Sequence, residues 1–510
     1  MSSIYTSILS AKNGSLIPLF DDGKSMESKY NPQNEAERNA ENTEASSFFL
    51  ILGIGSGFFI EELSKKYPNA LILAVEKSDE DLLFLQQLES FRKISANKNI
   101  IVTSLEHLQS LLLENYLPSF YGNLKIIEQR AWIQKNMEIK AYIDKIIKDS
   151  LQQISRDFSV QAHFGKIWHN NIINNIKLYS QINYKDYTLD FESDKTAAVI
   201  AAGSSLDQNI KKLKENRDKY VIFSTDTAYS SLLKNEIIPE VVVSIDGQNL
   251  SHSHFMQNKL FFEKTLYICD LCADFSACNN IIKNKGKLLF SISGHPLSEL
   301  FYKSNEQAFI KLNSGAGTVT LAALDFAIKT GFSKIELFAA DFAYLNGKSY
   351  TKGTYLDPIY QQMADKLIST EKQFDKLLFR TELNLNIEGN KTTSTLEAYR
   401  QSMQDFLKQN EINFTYRDYI YYLEKNVKKA PENKIQIKTQ SNKKLFEDFN
   451  NLINKNPYKK REINSINDLN ILEIALLPLI SWLRFYDNKE SDFSSLLEKA
   501  YTFLKRNQVL

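Results

Sequence analysis

Cysteine is nearly missing from this chain of 510 residues: there are three, Cys269, Cys272 and Cys278. Cys269-x2-Cys272 has the spacing of half a zinc site, but no second CxxC exists and the nearby His252 and His254 are at unusual spacing. Buried free thiols in a reducing compartment are the expectation. A long apolar run is also lacking. The longest, Ile471 to Leu483, is interrupted by Glu473 and Pro478 and is too short to span a bilayer, so it reads as a helix–helix contact. The first twenty residues lack the basic-then-apolar pattern of a secretory signal. Neither sign of charge dominates: 62 basic and 61 acidic side chains leave a formal net charge of +1. No global field draws such a protein to nucleic acid or to an anionic membrane. Glycine (17) and proline (10) are sparse, no histidine follows His295, and no internal repeat is evident. Together these absences predict a cytoplasmic globular protein with no membrane span and no nucleic-acid partner.

What is present exceeds one ordinary core, and the length alone implies roughly three domains. Phe48 to Leu52 is a buried strand ending in Gly53-x-Gly55-x-Gly57, followed by a helix and a second strand, Ala70 to Val75, closed by Glu76. Continuously apolar strands fit a parallel sheet covered on both faces, and an acidic residue closing the second strand is where such domains hold a ribose hydroxyl. Phe58 stands where a dinucleotide motif has its third glycine. The turn is therefore closer to an S-adenosylmethionine type, and a purely structural role is an equal expectation. Glu128 to Tyr179 is helical in pattern, with His169, Asn171 and Asn175 on a polar face. The helical pattern returns after about Glu388, broken by a polar loop at Lys428 to Lys444. The expected domains are 1–127, Rossmann-like; 128–185, a helical linker; 186–387, a central α/β domain; and 388–510, mostly helical.

The central domain carries the chemistry. Ala197 to Ala202 runs into Gly203-Ser204-Ser205 with a helix opening near Leu206. Glycine lets backbone approach a phosphate, and free amides at a helix start favour an anion. Tyr220 to Phe223 leads to Asp226, Glu240 to Ile245 ends at Asp246-Gly247, and a further strand ends at Ser293-Gly294-His295. A glycine-rich turn, Asn313 to Gly317, precedes a helix from Thr318, and the strand Ile335 to Ala340 stops at Asp341. In open α/β sheets ligands bind outside the carboxyl ends of the strands. Asp226, Asp246, His295 and Asp341 are thus expected on one edge, with two glycine turns beside them.

These blocks, AGSSLD, STDTA, IIPEVVVSID and SGAGTVTLAALDFAIKTGFSKIELFAADFAY, resemble in order and spacing the central domain of the bacterial motility accessory factor family. The resemblance covers roughly 160 residues. Members of that family place nonulosonic acids, pseudaminic or legionaminic, on serine and threonine of flagellin, and their central domain is similar to sialyltransferases that use CMP-sialic acid. The resemblance implies a doubly wound nucleotide-sugar-binding domain, a CMP-activated nonulosonic acid donor and a flagellin acceptor. It puts Gly203, Ser204 and Ser205 at the nucleotide phosphate, Ser314, Gly315 and Thr318 at the cytidine, and Asp226, Asp246 and Asp341 at the sugar. Two departures stand out: Gly203-Ser204-Ser205 replaces Gly-Pro-Ser, and Tyr350 stands where many relatives have a histidine. Candidates for the acceptor proton are Asp246, Asp341 and His295, with Tyr344 or Tyr350 assisting the leaving phosphate. A divalent metal requirement is left open. The alternative expectations are a pterin diphosphokinase-like enzyme, with the strand-end aspartates holding magnesium, and a non-catalytic flagellar assembly factor.

Overall fold

The computed structural model describes residues 3–182, 187–189, 191, 194–248, 253–255, 259–364, 369–386, 388–425, 435–437, 442–486 and 492–507. His252 and most of the polar loop expected at Lys428 to Lys444 lie outside them. The chain forms two compact units, Met1–Lys166 with Asn456–Leu510, and Ile167–Lys455. Among the described residues no helix is long and apolar enough to cross a membrane.

The first unit opens with a hairpin, β1 (Tyr5–Ser10) and β2 (Leu16–Phe20). β3 (Phe48–Leu52), β4 (Leu71–Glu76), β5 (Ile100–Ser104) and β6 (Leu124–Glu128) then form a parallel sheet in the order β5-β4-β3-β6. The chain walks from β3 to β5 and returns to the other side of β3. The turn Gly53–Gly57 therefore sits at the topological switch of this sheet. The apolar stretch forms the helix Leu477–Tyr486, which approaches the helix Lys140–Gln181 closely. A Cβ on Gly165 would lie 1.8 Å from the Pro478 carbonyl oxygen. Lys140–Gln181 has 42 residues and occupies most of the stretch expected as a helical linker.

In the second unit the short β7 (Tyr187–Leu189) precedes the strands of the large sheet: β8 (Thr196–Ile200), β9 (Tyr220–Thr225), β10 (Val241–Ser244), β11 (Leu266–Asp270), β12 (Lys287–Ile292), β13 (Ile310–Lys311) and β14 (Lys334–Phe338). After the two-residue strands β15 (Asn384–Leu385) and β16 (Lys391–Thr392) come β17 (Ile412–Arg417), β18 (Ile420–Lys425) and β19 (Ile435–Ile437), which pairs with β7. The sheet order is β13-β12-β11-β10-β9-β8-β14-β18-β17, parallel from β13 through β14. Alternate residues of β8 face opposite cores, as strand geometry requires. Ala197 and Val199 pack with the helix Val319–Lys329 and with Met403, Phe406 and Leu407. Ala198 and Ile200 pack with Leu206, Leu213, Ala228 and Leu232 from two other helices. The domain is doubly wound.

The carboxyl-terminal region is mostly helical, with Ser394–Gln409, Asn442–Lys455, Leu477–Tyr486 and Phe493–Arg506, and it adds strands that the pattern did not signal. β17 and β18 form a hairpin that extends the central sheet, with β18 antiparallel to β14. Its aromatic and β-branched residues favour strand, but its turn is Asp418-Tyr419 at φ 52° and 61°. That left-handed pair is usually signalled by Asn-Gly or Asp-Gly, and neither is present here.

Candidate functional site

The chain runs outward from β8 to β13 and then crosses back to lay β14 on the other side of β8. The switch crevice therefore lies between the carboxyl ends of β8 and β14. Register determines what meets there. Ile200 is opposite Phe338, so Gly203 and Asp341, each three residues further on, come level. A Cβ on Gly203 would lie 2.4 Å from both the Ala339 oxygen and an Asp341 carboxylate oxygen, which explains glycine here. Asp341 accepts hydrogen bonds from the Ser205 amide (3.0 Å) and the Ser205 hydroxyl. The Gly203 amide bonds the Ala339 carbonyl at 3.0 Å. Of the three turn amides expected at a phosphate, only that of Ser204 has no acceptor among the described residues. Burial raises the Asp341 pKa, and the Ser205 bonds oppose the rise. Ala339, Phe342 and Asn346 have φ of 55°, 47° and 52°. Non-glycine residues in the left-handed region cost about 1–3 kcal/mol each and persist only where their surroundings force them; buried Ala339 and Phe342 are forced in this way.

One strand over, Asp226 is buried at the start of the helix Asp226–Lys234. It accepts from the Ser244 hydroxyl at 2.7 Å and from the Thr227 amide at 2.7 Å. Asp246, at the end of β10, is half-buried and accepts from the Gln248 amide at 3.0 Å. The loop after Asp341 is stitched over these strand ends. Thr351 donates its amide to Ala202 (3.0 Å) and its hydroxyl to Asp207 (2.6 Å), and Ser231 bonds the Lys352 carbonyl at 2.7 Å. Tyr344, Tyr350, Tyr355 and Tyr360 come from this loop and the helix following it, and Tyr399 joins them from the helix Ser394–Gln409. Tyr350 is 36% exposed, yet burial around its hydroxyl, with Tyr344, Tyr399 and Asp226 nearby, pushes its pKa up to about 12. The Tyr355 pKa is raised by burial and then by Tyr350, Asp226 and Asp246; that of Tyr399 by burial and Asp246. Phenols shifted this way stay protonated near neutral pH and act as hydrogen-bond donors. Sequence reasoning picked out Tyr344 and Tyr350 and missed the rest, although a tyrosine every five or six residues through this loop was a visible signal.

His254 was also missed. It is buried, its ring centroid lies 4.1 Å from that of Tyr355, and its Nδ1 has no hydrogen-bond partner among the described residues. This part of the edge thus contains a histidine even though none follows His295 in the chain.

Ser314, Gly315 and Thr318 lie in the turn that leads from β13 back to the helix Val319–Lys329, which packs across β8, β9 and β10. The Ala316 amide donates to the Ser402 hydroxyl at 3.1 Å, and a Cβ on Gly315 would lie 2.1 Å from that oxygen. The turn is held against the helix Ser394–Gln409. His295 is not brought to the crevice. It follows β12, four strand spacings from β8 and on the order of 19 Å away at ordinary strand separation. Its Nδ1 accepts the Leu297 amide (3.2 Å) as a helix cap, and burial beside His169 drives its pKa well below the ordinary value. Asn171 bonds the Gly247 and Cys272 carbonyls at 3.0 Å, and Asn175 those of Leu271 and Ala273 at 3.0 and 2.8 Å. That polar face binds strand-end loops rather than solvent. All three cysteines are free and buried. Among the described residues, the group of ligand-type side chains close enough to share a metal ion is Asp79, Glu106 and His107, exposed and in the first unit.

Residues 170–347 match the family model described as 6-hydroxymethylpterin diphosphokinase MptE-like. Two proteins of Treponema pallidum (strain Nichols), both described as uncharacterized, are 31% and 36% identical to this chain over 138 residues. Those stretches are 27% and 26% of this chain, and 65% and 49% of the relatives. The chain thus spans less than two thirds of the length of these curated relatives. Among solved structures, a Maf glycosyltransferase from Magnetospirillum magneticum AMB-1 aligns over 98% of this chain and 90% of its own, at 12% identity and a TM-score of 0.44. A likeness at that score carries no weight for fold or activity.

Proposed function

We propose that this protein is a cytoplasmic glycosyltransferase that moves a CMP-activated nonulosonic acid onto serine and threonine hydroxyls of flagellin. The motif resemblance supports the family. The observation that carries the site is the set of protonated phenols gathered over Asp226 and Asp246, next to the switch-point turn. A sugar already bonded to phosphate needs its leaving group stabilised and its acceptor deprotonated. In this reading the Ser204 amide and the Tyr350 hydroxyl bond the departing phosphate as the bond from the anomeric carbon to the phosphate oxygen breaks. The acceptor oxygen attacks that carbon, and its proton passes to Asp246, which keeps access to water. Asp341 is a positioning residue that ties Ser205, and so the turn, to β14. Ser314, Gly315 and Thr318 line the cytidine side.

The family-model match favours a second reading, transfer of diphosphate from ATP with magnesium held by strand-end aspartates. Thermal-shift titration separates the two, since a ligand at 100 times its dissociation constant adds about 2.7 kcal/mol. CMP or CDP is expected to stabilise the second unit without metal. Stabilisation by ATP with magnesium, and none by cytidine nucleotides, would replace the first reading with the second.

A further inference from the structure

The loop over the crevice carries more hydrogen-bonding capacity than it uses. The Ser349 hydroxyl, the Thr354 hydroxyl and Nδ1 of His254 are buried and have no hydrogen-bond partner among the described residues. Ser349 precedes Tyr350 and Thr354 precedes Tyr355 in the chain, so both hydroxyls belong to the stretch that brings the phenols to the strand ends. His254 comes from elsewhere, from the chain between β10 and β11, and is 4% exposed. Its ring stands edge-on to that of Tyr355. After burial, the strongest influences on the Tyr355 hydroxyl are Tyr350, Asp226, Asp246 and Tyr360. The imidazole, the phenols and two strand-end carboxylates thus share one neighbourhood. Buried hydrogen-bonding atoms are nearly always paired, and leaving one unpaired is costly. The partner these atoms lack comes from outside the chain.

We infer that His254 and Thr354 bind a neutral hydroxyl or acylamino group of the transferred sugar, and so help to set which sugar the crevice accepts. This rests on the glycosyltransferase reading above. The surroundings select that chemical class. Asp226 and Asp246 lie near Tyr355, and no cation is among the groups that act most on it, so a second anion gains nothing at this end. The charged end of the donor belongs with Tyr350 and the Gly203 turn, which the bond from the Thr351 amide to the Ala202 carbonyl holds together. Among the described residues, the side chains close enough to share a metal ion are in the first unit. Asp226 is committed to Ser244 and Thr227. What is left to meet a ligand is an imidazole, hydroxyls and protonated phenols. Such a set both donates and accepts, as hydroxyl and acylamino groups require.

Calorimetric titration of the full chain with two probes, CMP and CMP-sialic acid, tests the inference. The wild type is expected to bind CMP-sialic acid more tightly than CMP. His254→Phe keeps a ring against Tyr355 and removes the nitrogen. It is expected to bind CMP within about twofold of the wild type and to lose about tenfold for CMP-sialic acid. Thr354→Val, which removes only the hydroxyl, is expected to show the same selective loss. His254→Asn restores an amide near the position of Nδ1 and is expected to recover most of the preference for the sugar-bearing ligand, which a merely structural role would not predict. Equal weakening of both ligands in His254→Phe would make His254 a prop for Tyr355 and overturn the inference. Unchanged binding of both would overturn it too. If His254→Phe does not fold, His254→Ala and Thr354→Val on the same two ligands decide. A wild type that binds CMP but gains nothing from the sugar refutes this inference alone, whereas one that binds neither refutes the glycosyltransferase reading with it.

Discussion

Replacing Glu27 with glutamine removes a charge that the first unit buries at high pH. The Glu27 pKa rises from 4.5 to about 7, mainly through desolvation. A carboxyl whose folded pKa lies above its unfolded value stabilises the fold fully below the unfolded value. That contribution is lost as pH rises through the folded one. The loss therefore falls between about pH 4.5 and pH 7, and it amounts to about 3 kcal/mol when complete. Release of the segment 21–31 offers the charge a route to water and lowers this figure. Glu27→Gln cannot ionise, so at pH 8 it is expected to melt above the wild type by several degrees, at about 2–4 °C per kcal/mol for a unit of this size. At pH 5 the wild-type carboxyl is still protonated in the fold and only about 0.8 kcal/mol of the loss has accrued, so the two should melt within about 3 °C. Calorimetry at the two pH values is the assay. An equal difference at pH 5 and pH 8 would show that Glu27 is never buried as a charge and would refute the reasoning.

Gly203→Ala is expected to destabilise the second unit by about 1–3 kcal/mol, since the new Cβ has to displace either β14 backbone or Asp341. A urea midpoint matching the wild type would mean that the crevice is looser than its contacts indicate. Tyr350→Phe keeps the ring and removes the donor. On the proposed mechanism kcat drops on the order of 10²-fold with donor affinity nearly unchanged, and an unaltered rate removes Tyr350 from the leaving-group site.

Legibility in the sequence followed the range of the interactions. β3 was found at its true bounds because Phe48 to Leu52 is a single unbroken apolar run that no amphipathic alternative matches. Asp226, Asp246 and Asp341 were placed at strand ends by the same local logic, and the rule about carboxyl ends placed them on one edge. Which of them meet was not local. Gly203 and Asp341 face each other only because Ile200 pairs with Phe338 across 138 residues of chain, and His295 is remote only because β9, β10 and β11 lie between β12 and β8. The left-handed Ala339 and Phe342 have no propensity signal, because neither residue type favours that conformation.

The same non-local pairing bears on what a glycine turn can be taken to mean. A turn that gathers amides at a helix start attracts any nearby oxyanion, and an acidic side chain at the adjoining strand end is always near. The turns at Gly53 and at Gly203 are both occupied in that way, so glycine spacing alone does not separate a working turn from a retired one. What separates them is the cost of removing the carboxylate. Glu76 would have to give up the Ile54 and Gly55 amides, Tyr5 and Trp132 together, each hydrogen bond to a charged group being worth about 1.5–3 kcal/mol. Asp341 is held by one residue, Ser205, and leaves the Ser204 amide unused. By that measure the Gly203 turn is the one a ligand can enter at modest cost.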